Sequence, residues 1–163
     1  MYVLAAIGFI ALMAWLFSDQ IDEQRNPNRK IETRTAIDGA AEVVLKRNRA
    51  GHYVATGYIN GNATEFMLDT GATDVAVSSE IARASGLSRG RNIVVATANG
   101  TTTAYSTVIK ELQLGQIVER DVAATIVPNL GDIGVLLGMS FLKRLDFAQT
   151  GDTLSIRSRR TAR

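Results

Sequence analysis

The chain has 163 residues, 18 basic and 16 acidic side chains, no cysteine and a single histidine. That length holds one domain, or one domain with an appendage, whereas a two-lobed enzyme needs roughly twice as much. The absence of cysteine excludes disulfides, zinc–thiolate sites, iron–sulfur clusters and a cysteine nucleophile. His52 alone makes a histidine-based metal site or a Ser–His–Asp triad an unlikely reading, and a net charge of +2 is too small to argue for nucleic acid, so no nucleic-acid partner is expected.

Residues 1–17 (MYVLAAIGFIALMAWLF) are apolar except for Gly8 and carry no charged side chain. Tyr2 to Phe17 would make about 24 Å of helix at about 1.5 Å per residue, slightly short of a hydrocarbon core about 30 Å thick. Trp15 and Phe17 near one end and Tyr2 near the other suit the two interfaces. A cleaved signal peptide would show a basic start and a small-x-small cleavage site, and neither is present. A buried core helix would need a polar face for water, which this segment lacks. Residues 1–18 are therefore expected to form a single N-terminal transmembrane anchor. Arg25, Arg29 and Lys30 follow it, so the Lys/Arg count by itself would put the C-terminal part inside.

Residues 19–41 are polar, charged and without apolar periodicity, and read as a stalk or linker. From about Glu42 to Arg157 the pattern is short, β-branched and glycine-punctuated, the mark of a mostly β domain. Two Asn-Gly pairs, Asn60-Gly61 and Asn99-Gly100, stand between apolar runs and predict tight hairpins, since both central residues of a type I′ turn need positive φ. Further strands are expected near 42–47, 75–78, 108–114, 117–127 and 152–157. Two short helices fit, one after the hydroxyl cap Ser78-Ser79 and one over Ser140–Leu145 with Ser140 as its cap. Residues 158–163 form a basic tail read as solvated and frayed.

One segment carries the chemistry. The apolar run Phe66-Met67-Leu68 leads directly into Asp69-Thr70-Gly71-Ala72, and a β-branched run, Val75-Ala76-Val77, follows. Asp69 thus sits on a tight turn at a strand end. Much later Leu136-Leu137-Gly138 precedes the second short helix. An ordinary β-turn also favours Asp, Thr and Gly, so the tripeptide alone decides little.

With these flanks the chain resembles the retropepsin-like (retroviral-type) aspartic proteases, closest to their bacterial membrane-anchored members. The resemblance covers about residues 42–157. It implies an all-β fold, a single-lobe acid-protease β-barrel with one or two short helices, here preceded by the transmembrane helix. It implies that Asp69 is catalytic, that Thr70, Gly71 and Ala72 complete the active-site loop, and that Leu136, Leu137 and Gly138 thread behind it. It also implies a flap at Ala98, Asn99, Gly100 and Thr101 that closes over a polypeptide substrate. No cofactor or metal is implied. Retroviral members carry an acid after the Asp-Thr-Gly-Ala and an Arg after the late glycine; those places hold Thr73 and Met139.

Two adjacent carboxylates share one proton and titrate as a pair. The ionised one can take a proton from water while the protonated one polarises the scissile carbonyl. This chain has one Asp-Thr-Gly, so the second carboxylate is expected from a second copy across a two-fold axis. The expected function is a membrane-tethered aspartic endopeptidase acting as a homodimer, and the rival is a catalytically silent peptide-binding or dimerisation module on the same fold. The resemblance implies a bacterial inner membrane with the domain on the periplasmic side, against the Lys/Arg count. Tyr105 reads as a cross-strand packing residue, Asp74 as a turn cap and His52 as a surface histidine.

Overall fold

In the computed structural model, residues 2–36, 39–97, 100–131 and 133–159 are described. The expected flap residues Ala98 and Asn99 and the tail from Arg160 lie outside them. In chain order the elements are α1 (Tyr2–Arg25), β1 (Glu32–Thr35), β2 (Ala41–Lys46), β3 (Val54–Ile59), β4 (Asn62–Leu68), β5 (Val75–Ser78) and α2 (Ser79–Ala84). They continue with β6 (Asn92–Thr97), β7 (Gly100–Leu114), β8 (Ile117–Val127), β9 (Val135–Leu137), α3 (Met139–Leu142), β10 (Leu145–Thr150) and β11 (Thr153–Ser158).

The strands form two sheets. Seven are ordered β3-β4-β9-β5-β8-β7-β6, and a further pairing of β3 with β7 curls this sheet towards closure. Four more are ordered β1-β2-β11-β10. Alternation along β2, β3, β5 and β11 turns every second side chain inward. Val43 and Ile156 of the small sheet and Ile59, Phe66, Val77, Leu112 and Val135 of the large one are fully buried in one cluster. Phe66 and Phe141 are its largest fully buried side chains.

Local signals account for the short-range features. Asn60 and Gly61 take φ of 49° and 83°, and the β3–β4 register closes at Ile59 opposite Asn62. That is the two-residue turn an Asn-Gly pair favours. Ser78 caps α2, its hydroxyl accepting from the Ile81 N–H at 3.2 Å. In the second hairpin Thr97 pairs with Gly100, so Gly100 belongs to β7 rather than to the turn.

Two expectations are corrected. Ser140 does not cap α3, whose N-cap is Gly138 and makes no side-chain hydrogen bond. The helix is also shorter, ending at Leu142, because Leu145 already starts β10 opposite Ser158. The second correction concerns the stalk. α1 continues to Arg25, β1 pairs with β2, and Asn26 and Asn28 are only 2% and 3% exposed. Their carboxamides replace water with protein partners. Asn28 Nδ2 donates to the Val54 and Lys46 carbonyls at 2.7 and 2.9 Å, and its Oδ1 accepts from the Lys46 N–H at 2.8 Å. Asn26 Nδ2 donates to Thr56 Oγ1 and Glu65 Oε2.

Ile7, Phe9, Ile10, Leu12 and Leu16 of α1 are exposed. Among the residues whose side chains are described, no helical stretch is long and apolar enough to cross a membrane.

Candidate active site

β4 pairs in parallel with β9, Leu68 opposite Leu137, and the chain leaves β4 at Asp69. The loop Asp69–Asp74 then returns into β5, which pairs antiparallel with the same β9. One short strand thus holds both arms of the loop. The Asp69 N–H donates to the Leu137 carbonyl at 3.1 Å. Asp69 is half-buried, and its Oδ1 accepts from the Gly71 N–H at 2.8 Å, which fixes the carboxylate over its own turn. The Ala72 N–H reaches back to the Asp69 carbonyl at 3.3 Å. Thr70 and Gly71 are exposed and Ala72 is half-buried.

Leu136, Leu137 and Gly138 lie behind this loop. A β-carbon on Gly138 would collide with the Asp74 and Ala72 carbonyl oxygens, so a side chain has no room there. From Gly138 the chain enters α3, whose first N–H groups close the loop. Met139 N–H donates to the Ala72 carbonyl at 2.8 Å and Ser140 N–H to the Thr73 carbonyl at 2.9 Å. Thr73 and Met139 stand where retroviral members have an ion pair; here main-chain bonds join the two segments instead. The Ser140 hydroxyl, 4% exposed, accepts from the Val75 N–H at 2.9 Å and donates to the Ala123 carbonyl at 2.7 Å. It therefore ties the end of the loop to β8 across α3.

An open cleft of about 290 Å³ lies at Asp69 and Thr70, lined also by Tyr53, Leu68, Leu142, Phe147, Gln149 and Leu154. Phe147 and Gln149 belong to β10, an exposed edge strand. Neither is legible from sequence, because LDFAQT lacks the alternation that marks a strand. A serine before an apolar run reads as a cap, whereas the Ser140 hydroxyl's partners are 65 and 17 residues away.

Other expected residues fall as follows. Gly100 and Thr101 are exposed on β7, Thr101 opposite Ala96. Among the described residues Asp74 has no side-chain hydrogen bond, so it caps nothing: the Val75 N–H it precedes is taken by Ser140. His52 is exposed, and Tyr105 is half-buried with the Arg89 guanidinium 4.6 Å from its ring centroid. Among the described residues no cluster of His, Asp or Glu could hold a metal ion.

A β-strand ending in Asp-Thr-Gly-Ala, threaded from behind by a Leu-Leu-Gly strand, is the arrangement to compare with known proteins. Residues 55–144 match the family model described as gag-polyprotein putative aspartyl protease, which takes in more than half of the chain. The chain belongs to that family. A crystal structure of a retropepsin-like aspartic protease from Rickettsia conorii superposes with a TM-score of 0.62 at 30% identity, covering 79% of this chain and 96% of that one. Among curated sequences, an uncharacterized protein encoded in the cobV 5′ region of Sinorhizobium sp is 34% identical over 118 residues, 71% of this chain and 51% of that protein. A second, from Rickettsia prowazekii (strain Madrid E), is 31% identical over 106 residues, 63% of this chain and 45% of that one. The chain spans about half the length of these curated relatives. The retropepsin-like family and its mostly β fold with short helices are thus established.

Proposed function

We propose that the chain is an aspartic endopeptidase that acts on polypeptides as a homodimer tethered to a membrane by its N-terminal segment. The observation that carries the reading is the Asp69 loop. Its carboxylate is held by the Gly71 N–H, beside an open cleft, in a loop braced by β9 and α3.

One lobe supplies one carboxylate. A second copy, related by a two-fold axis, would place its own Asp69 beside the first, and the pair would share a proton. The ionised member then takes a proton from a water held between the two. The protonated member donates to the scissile carbonyl oxygen as the water attacks the carbon. The C–N bond breaks as one carboxyl protonates the leaving nitrogen and the other carboxylate takes a proton from a hydroxyl of the tetrahedral intermediate, which returns the dyad to a single shared proton. Thr70, exposed next to Asp69, is the residue for cross-linking the two loops through its hydroxyl. The β6–β7 hairpin is the element for closing over an extended substrate by strand-like hydrogen bonds.

The β10 edge supports the second copy. An unpaired edge strand is a template for pairing, and this one borders the Asp69 cleft. The anchor rests on the apolar, charge-free residues 1–17 and on the exposed Ile7, Phe9, Ile10, Leu12 and Leu16. The proposed location is a bacterial inner membrane with the domain outside. An alkaline phosphatase fusion at the C-terminus would be active in that orientation, and an inactive fusion would reverse it.

The test of function is cleavage of a mixed peptide library by the full chain, wild type against Asp69→Asn. Wild type should cleave, and the variant should lose all cleavage while its circular dichroism and its molar mass in detergent stay unchanged. If wild type cleaves nothing between about pH 3 and 7, the chain is instead a silent peptide-binding module. Equal cleavage by the variant would remove Asp69 from the chemistry.

A further inference from the structure

Asp69 follows β4 between two hollows. Leu68 lines the cleft already described, and Met67 lines a second cavity of about 220 Å³. Successive residues of a strand point to opposite faces, so the two hollows flank the end of β4. Val54 stands directly opposite Met67 on β3 and lines the same cavity. Met67 precedes Asp69 by two residues, about 7 Å at roughly 3.3 Å per residue. That is within reach of a substrate side chain next to the bond being cut. An extended polypeptide alternates its side chains in the same way, so neighbours on either side of that bond can enter one hollow each.

One wall of this second cavity is supplied by α1. Arg25, its last residue, lines the cavity, although it lies outside residues 55–144, the span that matches the family model. It is held at both ends. Its Nε lies 3.6 Å from Glu65 Oε1, and its carbonyl accepts from Asn48 Nδ2 at 3.0 Å. The next residue, Asn26, is buried and donates to Glu65 Oε2 at 3.3 Å. With the guanidinium drawn to Glu65, what Arg25 offers an occupant is chiefly its apolar stem.

The lining selects the occupant. Apart from Arg25, Asn48, His52 and Glu65, every lining side chain is apolar. Both Glu65 oxygens are engaged, and Asn48 spends Nδ2 on the Arg25 carbonyl and Oδ1 on the His52 N–H at 2.9 Å. A polar side chain would give up water for little return, whereas an apolar one needs no partner. Position argues against a lipid chain. Phe17, the last residue of the apolar run, lies eight residues before Arg25, about 12 Å of helix. We propose that the last turn of α1 is part of the substrate site, and that Arg25 closes a pocket for one apolar side chain of the polypeptide and limits its size. The assignment rests on the peptidase reading for its substrate, and the measurements below separate the failure of one from the failure of the other.

The test is cleavage of a mixed peptide library by the full chain in detergent, with the residues flanking each cut read by mass spectrometry. Wild type should cut beside leucine in preference to tryptophan. Arg25→Ala should raise cutting beside tryptophan relative to leucine about tenfold, the scale on which a pocket wall discriminates. Arg25→Met, which keeps an unbranched stem, should retain the wild-type ranking, and so should Arg29→Ala, outside the cavity. The same ranking in wild type and Arg25→Ala would overturn the assignment. If wild type cuts nothing, the peptidase reading fails, and fluorescence anisotropy decides the pocket. Fluorescein-labelled octapeptides with one central leucine or tryptophan in a Gly/Ser background should then bind wild type in that order of affinity, and Arg25→Ala should equalise them. No binding at millimolar peptide, or an order that Arg25→Ala leaves unchanged, would overturn the assignment. A phospholipid retained by the purified chain in native mass spectrometry and lost in Met67→Glu would overturn it in favour of an acyl chain.

Discussion

Ser140 shows how one hydroxyl can govern a loop it does not belong to. It bridges a buried N–H on β5 and a carbonyl on β8 at the point where the Asp69 loop rejoins the sheet. Ser140→Ala would bury the Val75 N–H without a partner, at a cost of about 1–3 kcal/mol. Urea unfolding should show that loss, and an unchanged midpoint would mean that water fills the gap. Gly138 is constrained by space, since a methyl there meets two carbonyl oxygens of the loop. Gly138→Ala should cost about 1–3 kcal/mol as overpacking, and its effect should centre on the Asp69 loop, seen as faster amide exchange at Gly71 and Ala72. Asp69, Gly138 and their neighbours were legible in the sequence because local type and order carry them. Ser140 was not, because a serine before an apolar run reads as a cap and its real partners are remote in sequence.

The same division between local and distant holds for the elements. The Asn60-Gly61 hairpin and α2 follow from turn and cap chemistry within a few residues. β1 and β10 do not, since each is an edge strand with mostly exposed side chains and no inward alternation. Asn26-Pro27-Asn28 is the clearest miss. Polar composition suggested a solvated stalk, yet both carboxamides are buried against β2, β3 and β4. The last turn of α1 is fastened too, with Asn48 Nδ2 donating to the Arg25 carbonyl at 3.0 Å. The folded unit therefore begins at Asn26 rather than at Glu42. Asn28→Ala removes three hydrogen bonds and leaves the Lys46 N–H and the Val54 carbonyl unpaired, so it should lower stability by about 1–3 kcal/mol. Asp22→Ala breaks only an exposed pair with Arg29 and should cost under about 1 kcal/mol. Equal melting temperatures for the two variants would return residues 26–28 to the role of a passive tether.

For the whole molecule the deciding feature is the β10 edge beside the Asp69 cleft. The small sheet ends there, with every residue of Asp146–Thr150 exposed and Phe147 at 42%. Pairing β10 with its symmetry mate would make one eight-stranded sheet from two four-stranded ones, cover Phe147, and bring the two clefts together. Antiparallel self-pairing satisfies backbone groups on both copies at once, which is the geometry a two-fold axis demands. A charge at position 147 would be buried twice in such a seam. Phe147→Asp should therefore convert the protein to monomers in sedimentation velocity and abolish cleavage together, with monomer circular dichroism retained. Val118→Asp, which places the same charge on an exposed apolar position of β8, should do neither. The two readouts must also move together in wild type, so that specific activity falls on dilution below the dimer dissociation constant. A Phe147→Asp protein that stays dimeric would place the seam elsewhere, and one that is monomeric yet fully active would remove the shared dyad.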